Sequence, residues 1–305
     1  MKLFYLLIFF SYCYAQGIYK PLPEHIEYDK KIIDLGRELF FDTILSDNND
    51  ISCASCHGIY GADNKIFSIG TDNKIGNINT PTVFNLIYNI NFFWNGREDN
   101  LTSQIANGPL IAEHEMANDK KTIEQRLKYS KKYKQLFQSA YGKEPSFDNM
   151  LHAIAEFEKT LITPNSKFDK YLRGEIKLSK KEQKGLILFE SYGCVSCHNG
   201  INLGSNSYQK YGAVIEYKNE HKQWDDRYKV TKDPNDIDVF KVPSLRNIQM
   251  TPPYFHDGSA NNLKNAIYSM AYHNTGALLE EDEVEYIESF LKTLTGELPK
   301  TLTGK

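Results

Sequence analysis

Two five-residue stretches carry the residue types most able to do chemistry. Residues 53–57 read Cys-Ala-Ser-Cys-His, and residues 194–198 read Cys-Val-Ser-Cys-His. Two cysteines followed directly by a histidine are the attachment signature of a c-type haem, in which the thiols bond to the porphyrin and the histidine ligates the iron. The repeat therefore predicts two covalently attached haems. The residues that would hold them are Cys53, Cys56, His57, Cys194, Cys197 and His198.

Two other uses of paired cysteines fit less well. A single zinc site made from both cysteine pairs would need segments far apart in the chain to converge on one metal, and it would leave both histidines unexplained. A disulfide framework is typical of short secreted chains, whereas this chain has 305 residues. The haem interpretation accounts for all six residues.

The first residues and the charge indicate the compartment and the partners. Residues 1–15 combine Lys2, an apolar run and a small residue, Ala15, and so predict a secretory signal peptide; an uncleaved anchor or a lipidated Cys13 are the alternatives. We expect a periplasmic protein, because covalent haem is normally attached outside the cytoplasm. The formal net charge of −3 argues against a nucleic-acid partner and suits a small basic electron carrier.

The elements that would position the motifs also occur twice. Residues 32–41 and 184–189 have helical apolar spacing just before each motif, and residues 150–162 and 281–294 predict a closing amphipathic helix in each half. This order predicts a mainly α fold of two cytochrome c-like domains, each with one covalently attached haem.

The two domains would cover residues 16–165 and 166–305. Residues 58–81 are rich in glycine and asparagine, and they predict either a plain surface loop or a gate over the first haem.

The sixth ligand decides what each iron can do. An iron held by histidine and methionine carries electrons, whereas an open position can bind peroxide or oxygen. Met270 lies before the closing helix and is favoured as the second ligand, the alternative being a core methionine. The other candidates downstream of the second motif are Met250, His221, His256 and His273.

Stretches in both halves closely resemble the bacterial di-haem cytochrome c peroxidases, from about residue 24 to residue 298. The resemblance implies reduction of hydrogen peroxide to water, with electrons from a small periplasmic cytochrome c or cupredoxin, by a homodimer. The matching stretches are residues 35–42, 51–57, 81–85, 93–97, 108–109, 160–164, 193–204, 245–247 and 253–256.

The resemblance also implies roles for the two haems. The haem on His57 would be the low-potential, peroxidatic one. The haem on His198 and Met270 would be the high-potential site of electron entry. Trp94 matches the tryptophan placed between the haems, its alternative being a core aromatic residue.

Gln104 and Glu115 match the polar pair over the peroxide site. Cleavage of the O–O bond requires a proton to move from the near to the far oxygen, and a carboxylate in an apolar pocket can move it. Glu113 is close enough in sequence to have this role in place of Glu115. The alternative for both Glu113 and Glu115 is a solvated carboxylate on the surface.

Two further sets of residues follow from the resemblance. Asn79, with the backbone carbonyls of Thr251 and Pro253, matches a calcium site between the domains, and oxygen ligands suit that ion. Arg246 and His256 match residues near the haem propionates.

One position departs from the family. Many members carry a loop histidine that ligates the first iron in the oxidised enzyme, but Thr71 stands at that position here and no histidine lies between His57 and His114. We therefore expect the first haem to be open or water-bound when oxidised, with no need for prior reduction. Substitute ligands would be Lys65, Lys74 or Met116.

Two other functions are alternatives to a peroxidase. Related di-haem enzymes oxidise protein side chains to build a quinone cofactor and place a tyrosine on the second iron. Met270 argues against that function, although Tyr268 and Tyr272 flank it. A non-catalytic di-haem electron carrier would not need Gln104 and Glu115.

Overall fold

The computed structural model describes residues 17–218 and 225–303. The predicted signal peptide, Cys13 and His221 lie outside the described residues. The described part is mainly helical, with one short two-stranded sheet, as expected for a mainly α fold. The α-helices are α1 Lys30–Phe41, α2 Cys53–His57, α3 Leu101–Asn107, α4 Lys120–Tyr129, α5 Lys131–Tyr141, α6 Phe147–Lys159, α7 Lys167–Leu172, α8 Lys180–Ser191, α9 Tyr228–Thr231, α10 Leu263–Met270, α11 Glu281–Lys292 and α12 Lys300–Thr303.

The chain also forms two short strands, a π-helix and several 3₁₀ turns. Strand β1 Tyr208–Lys210 pairs antiparallel with β2 Val239–Lys241, so that Tyr208 faces Lys241. A π-helix, Ala271–Thr275, follows α10 directly. The 3₁₀ turns are Thr43–Leu45, Thr71–Asn73, Leu86–Tyr88, Cys194–Ser196, Pro234–Asp236 and Ile248–Met250.

The same helix pair forms in each half. Helix α1 packs on α6 in the first half, and α8 packs on α11 in the second. Each pair crosses at a glycine: a Cβ atom at Gly36 would overlap the carbonyl oxygen of Ala153, and one at Gly185 would overlap that of Tyr286. The sequence repeat therefore corresponds to a repeated close backbone approach.

Apolar side chains on the facing sides of these helices form the core. Their spacing follows the helical period, so that one face of each helix is removed from water. In the first half the buried residues include Leu35, Leu39, Ile154 and Phe157; in the second they include Leu186, Phe189, Val284, Ile287 and Phe290.

The predicted domain boundary near residue 165 lies in a segment that is hydrogen-bonded to both halves of the chain. The Thr163 hydroxyl accepts hydrogen bonds from the side-chain amides of Asn85 (2.9 Å) and Asn247 (2.7 Å). A division into two domains at this point stays a prediction. None of the helices in the described residues is long and apolar enough to cross a membrane.

Candidate haem-binding site

Each motif follows the first helix of its pair, but the two motifs differ in local form. Residues 53–57 are helix α2, which begins after Ser52; the Ser52 amide donates to the Ser55 hydroxyl at 3.0 Å. The second motif starts as a 3₁₀ turn after Gly193, whose φ of 81° suits glycine. None of the four motif cysteines forms a disulfide bond.

Both motif histidines are oriented by a backbone carbonyl. His57 Nδ1 lies 3.3 Å from Gly61 O, and His198 Nδ1 lies 3.2 Å from Leu203 O. Because a carbonyl only accepts, Nδ1 carries the proton and Nε2 keeps the lone pair that binds a metal. Burial lowers the pKa of both imidazoles to about 4, so both are neutral, as ligation requires.

Helix α2 lines a first cavity, into which Gln104 and Glu115 also face. The Glu115 side chain lines this cavity and is partly buried, with 36 % of its surface exposed. This burial raises the pKa of Glu115 to about 7, against the opposing effect of the Arg97 guanidinium. His114 Nε2 lies 3.9 Å from Glu115 Oε1. Glu113, the alternative carboxylate, is exposed and does not line the cavity.

A second cavity is lined by Cys194 and His198 and, for the rest, mostly by apolar side chains. Met270, the last residue of α10, lines the same cavity as His198. Within the described ranges, the other three candidate ligands, Met250, His256 and His273, are not among the residues that line it. His273 Nδ1 instead lies 2.9 Å from Ile215 O.

The two cavities share one wall. Trp94 belongs to it, with its indole Nε1 donating to Asn79 O at 2.8 Å and its ring meeting Phe240 and His256 edge-on. Trp94 therefore lies between the two motifs in space, and its use as an electron bridge stays a prediction. The residues that line both cavities are Asn79, Thr80, Pro81, Thr82, Asn89, Phe93, Trp94 and Lys241.

The three residues predicted to bind calcium lie together. Asn79, Thr251 and Pro253 all line the second cavity, and the Asn79 amide nitrogen donates to Lys65 O and Ile66 O at 3.0 and 3.2 Å. No cluster of three or more histidine, cysteine or acidic side chains that could hold a metal ion occurs within residues 17–218 and 225–303. A calcium ion there would depend on the Asn79 side chain and backbone oxygens.

Arg246 and His256 have protein partners of their own. Arg246 is buried and forms an ion pair with Asp169, 3.0 Å from Nη2 to Oδ1, while its Nε donates to Ile201 O at 2.6 Å. The His256 ring stacks on Phe240 at 4.1 Å between centroids. Their chain neighbours Leu245 and Phe255, rather than these two residues, line the second cavity.

Thr71 is buried and held in place. Its hydroxyl donates to Asp50 at 2.8 Å, and its amide donates to Glu115 O at 2.8 Å, so the loop it begins is tied to the segment that carries Glu115. Of the three substitute ligands, Met116 lines the first cavity; Lys65 and Lys74 are not among its lining residues in the described chain.

Sequence reasoning missed three charged residues that line the cavities, namely Glu158, Asp225 and Lys241. Glu158 on α6 lines the first cavity, is 5 % exposed, and its Oε2 finds no hydrogen-bond partner among the described residues. Burial raises its pKa to about 8. Its place on the apolar face of the closing helix was a usable signal. Lys241 in the short strand β2 gave no such signal.

Comparison with known proteins agrees with this site. A family model described as "Di-haem cytochrome c peroxidase" matches residues 30–177. The "Cytochrome c551 peroxidase" of Nitrosomonas europaea is 43 % identical, over 93 % of this chain and 84 % of that protein. That of Pseudomonas aeruginosa is 40 % identical, over 94 % and 86 %. A solved "MauG-like protein associated with microbial copper homeostasis" has a TM-score of 0.80 and 28 % identity, over 90 % of this chain and 95 % of that one.

Two neighbouring cavities, each with a Cys-x-x-Cys-His motif in a mainly helical chain, are the features of a di-haem c-type cytochrome. The chain belongs to the di-haem cytochrome c peroxidase family. It is an enzyme, a peroxidase of this family, and the family implies two haems. The residues present fit that group, because each motif has two cysteines outside any disulfide and a neutral imidazole whose Nε2 keeps its lone pair.

Proposed function

We propose that this periplasmic enzyme reduces hydrogen peroxide to water with electrons from a small c-type cytochrome or cupredoxin. The observation that carries the proposal is the asymmetry of the two cavities. His198 shares its apolar cavity with Met270, whereas the cavity of His57 holds Gln104 and Glu115. When bound, the haems supply an iron that takes peroxide in the first cavity and a saturated iron that passes electrons in the second.

Glu115 would move the proton. With a pKa near 7, its carboxylate can accept a proton from one peroxide oxygen and return it to the other, so that water leaves. Gln104 faces the same cavity and can donate an amide hydrogen to a bound oxygen. Trp94, in the shared wall, would form part of the path between the two cavities.

A calcium ion and a homodimer complete the proposal. Asn79, Thr251 and Pro253 line one cavity, which supports a calcium site of oxygen ligands beside the shared wall. Removing divalent ions with a chelator would then lower peroxidase activity, and adding calcium, but not magnesium, would restore it. Light scattering of the purified protein would test the dimer.

The function is tested by peroxide-dependent oxidation of a reduced small cytochrome c. We expect Glu115→Gln to lower kcat/KM by about 10²–10⁴-fold, because the amide cannot accept the proton. Glu113→Gln is the matched control, since Glu113 is exposed two residues away and is expected to keep wild-type activity. No oxidation by the wild-type protein, or full activity of Glu115→Gln, would contradict the proposal.

Oxidation of a protein side chain is the second candidate, because Tyr268 and Tyr272 lie two residues on either side of Met270. Met270 lines the second cavity, whereas Tyr268 and Tyr272, both described, are not among its lining residues. We therefore expect methionine ligation of the second iron. The charge-transfer absorption band of a ferric methionine–iron bond, lost in Met270→Ala, would favour the peroxidase; its absence from the wild type would favour tyrosine.

A further inference from the structure

Lys241 occupies an unusual position for a lysine. It ends strand β2, its backbone amide donates to Trp94 O at 2.7 Å, and it is 8 % exposed. It lines both cavities, and it is the one charged side chain among the described residues common to the two linings. Lys241 therefore belongs to the wall between the two motifs.

Among the described residues, no carboxylate lies within ion-pair distance of this ammonium. In the part of the chain that the structure describes, no carboxylate forms an ion pair with Lys241, and no other lysine, arginine, aspartate or glutamate lines the second cavity. Arg97, the other cation of the first cavity, differs because its guanidinium lies 3.4 Å from the centre of the Phe93 ring and interacts with Glu115 and Asp225.

Burying a cation without a partner costs free energy. That cost appears as a pKa of Lys241 lowered by burial to about 8. An anion that enters the cavities would remove the cost, and a haem brings one, because each haem carries two propionate carboxylates. This step rests on the proposed function, which places one haem in each cavity.

We propose that Lys241 is the cation that pairs with haem carboxylates at the shared wall and raises the reduction potentials of both haems. A fixed positive charge in a medium of low polarity favours the added electron of the reduced state. Because Lys241 lines both cavities, it would raise the reduction potentials of both haems in the same direction. The difference between the two potentials, which drives electron transfer from one haem to the other, would then change little. Lys241 is in this sense a positioning residue, acting through the cofactors.

The test is a spectroelectrochemical titration of both haems in the purified holoenzyme. In Lys241→Met, we expect the reduction equilibrium of each haem to fall about tenfold, which is about 59 mV for a one-electron couple. Lys241→Arg keeps the charge and is expected to keep both potentials. Lys210→Met is the control, since Lys210 is exposed on the paired strand β1.

The outcomes separate this proposal from the proposed function. Potentials of Lys241→Met that equal those of Lys210→Met would overturn the role of Lys241 and leave the peroxidase proposal intact. A haemochrome assay that finds fewer than two haems in the wild type would overturn both. If Lys241→Met fails to hold haem, Lys241→Gln replaces it; loss of haem in both neutral variants but not in Lys241→Arg would support the need for a cation.

Discussion

At the scale of single residues, two of the three carboxylates that line the first cavity among the described residues lie in different settings. Glu115 interacts with Arg97, whereas Glu158 is buried on α6 without a cation. Burial raises the pKa of both groups, to about 7 and about 8. At neutral pH, Glu115 is thus divided between its two protonation states, which suits a group that accepts and returns a proton.

A pH profile follows from Glu115. The carboxylate must be ionised to accept a proton, so we expect kcat/KM for peroxide to rise as the pH increases through about 7. Because Arg97 lowers the pKa of Glu115, Arg97→Met should raise it and move this limb of the profile to higher pH. Steady-state assays between pH 5 and pH 9 measure it. A limb that stays in place in Arg97→Met would assign the titration to another group.

Thr71 leads to a spectroscopic prediction. Its side chain is buried and bonded to Asp50, so it cannot take the place of a loop histidine on the first iron. We expect an electron paramagnetic resonance spectrum of the fully oxidised protein to contain a high-spin signal from an open or water-bound first haem. Two low-spin haems would contradict this. Met116, which lines the same cavity, would then be the ligand to remove, as Met116→Leu.

At the scale of elements, the two halves contain the same arrangement of a haem motif and a helix pair. Each motif follows a helix that crosses its partner at a glycine, Gly36 over Ala153 and Gly185 over Tyr286. The apolar spacing of these helices predicted their existence and their buried faces, since helical periodicity is local. It did not predict the crossing points, because a close backbone contact depends on a partner more than 100 residues away.

Substitution at these crossings tests the packing. Gly36→Ala should destabilise the first half by about 1–3 kcal/mol, because the methyl group would overlap the Ala153 carbonyl and push the helices apart. Thermal and denaturant unfolding of the holoenzyme measure the change. Gly17→Ala is the control, since a Cβ there meets nothing within 4 Å. Equal stabilities of the two variants would show that the two helices can move apart and accept the methyl group at little cost.

At the scale of the whole molecule, a single wall separates the two cavities. It is built from seven residues between Asn79 and Trp94, together with Lys241 from the other half of the chain. Trp94 holds the two parts together, because its indole donates to Asn79 and its carbonyl accepts from the Lys241 amide. The proposed electron transfer between the cavities would thus depend on contacts between the halves.

Trp94 can be tested without disturbing haem attachment. We expect Trp94→Leu to slow electron transfer between the haems, because Trp94 lines both cavities. The variant should still hold two haems per chain, because Trp94 belongs to neither attachment motif. Rapid mixing of the fully reduced enzyme with peroxide, followed at wavelengths that separate the haems, measures the rate. An unchanged rate would assign the path to other residues of the wall.

The sequence by itself determined the haem chemistry and the family. Haem attachment needs two thiols and an imidazole within five consecutive residues. A requirement this local can be recognised from the sequence alone. The positions of Glu115 and Met270 followed from the family resemblance, and the fold brings each into the cavity of the expected motif. Tertiary structure alone decided the rest: which residues form the shared wall, the burial of Glu158 and Lys241, and the pairing of Arg246 with Asp169. These features arise where segments distant in sequence exclude water from one another, and neither residue type nor spacing encodes that exclusion.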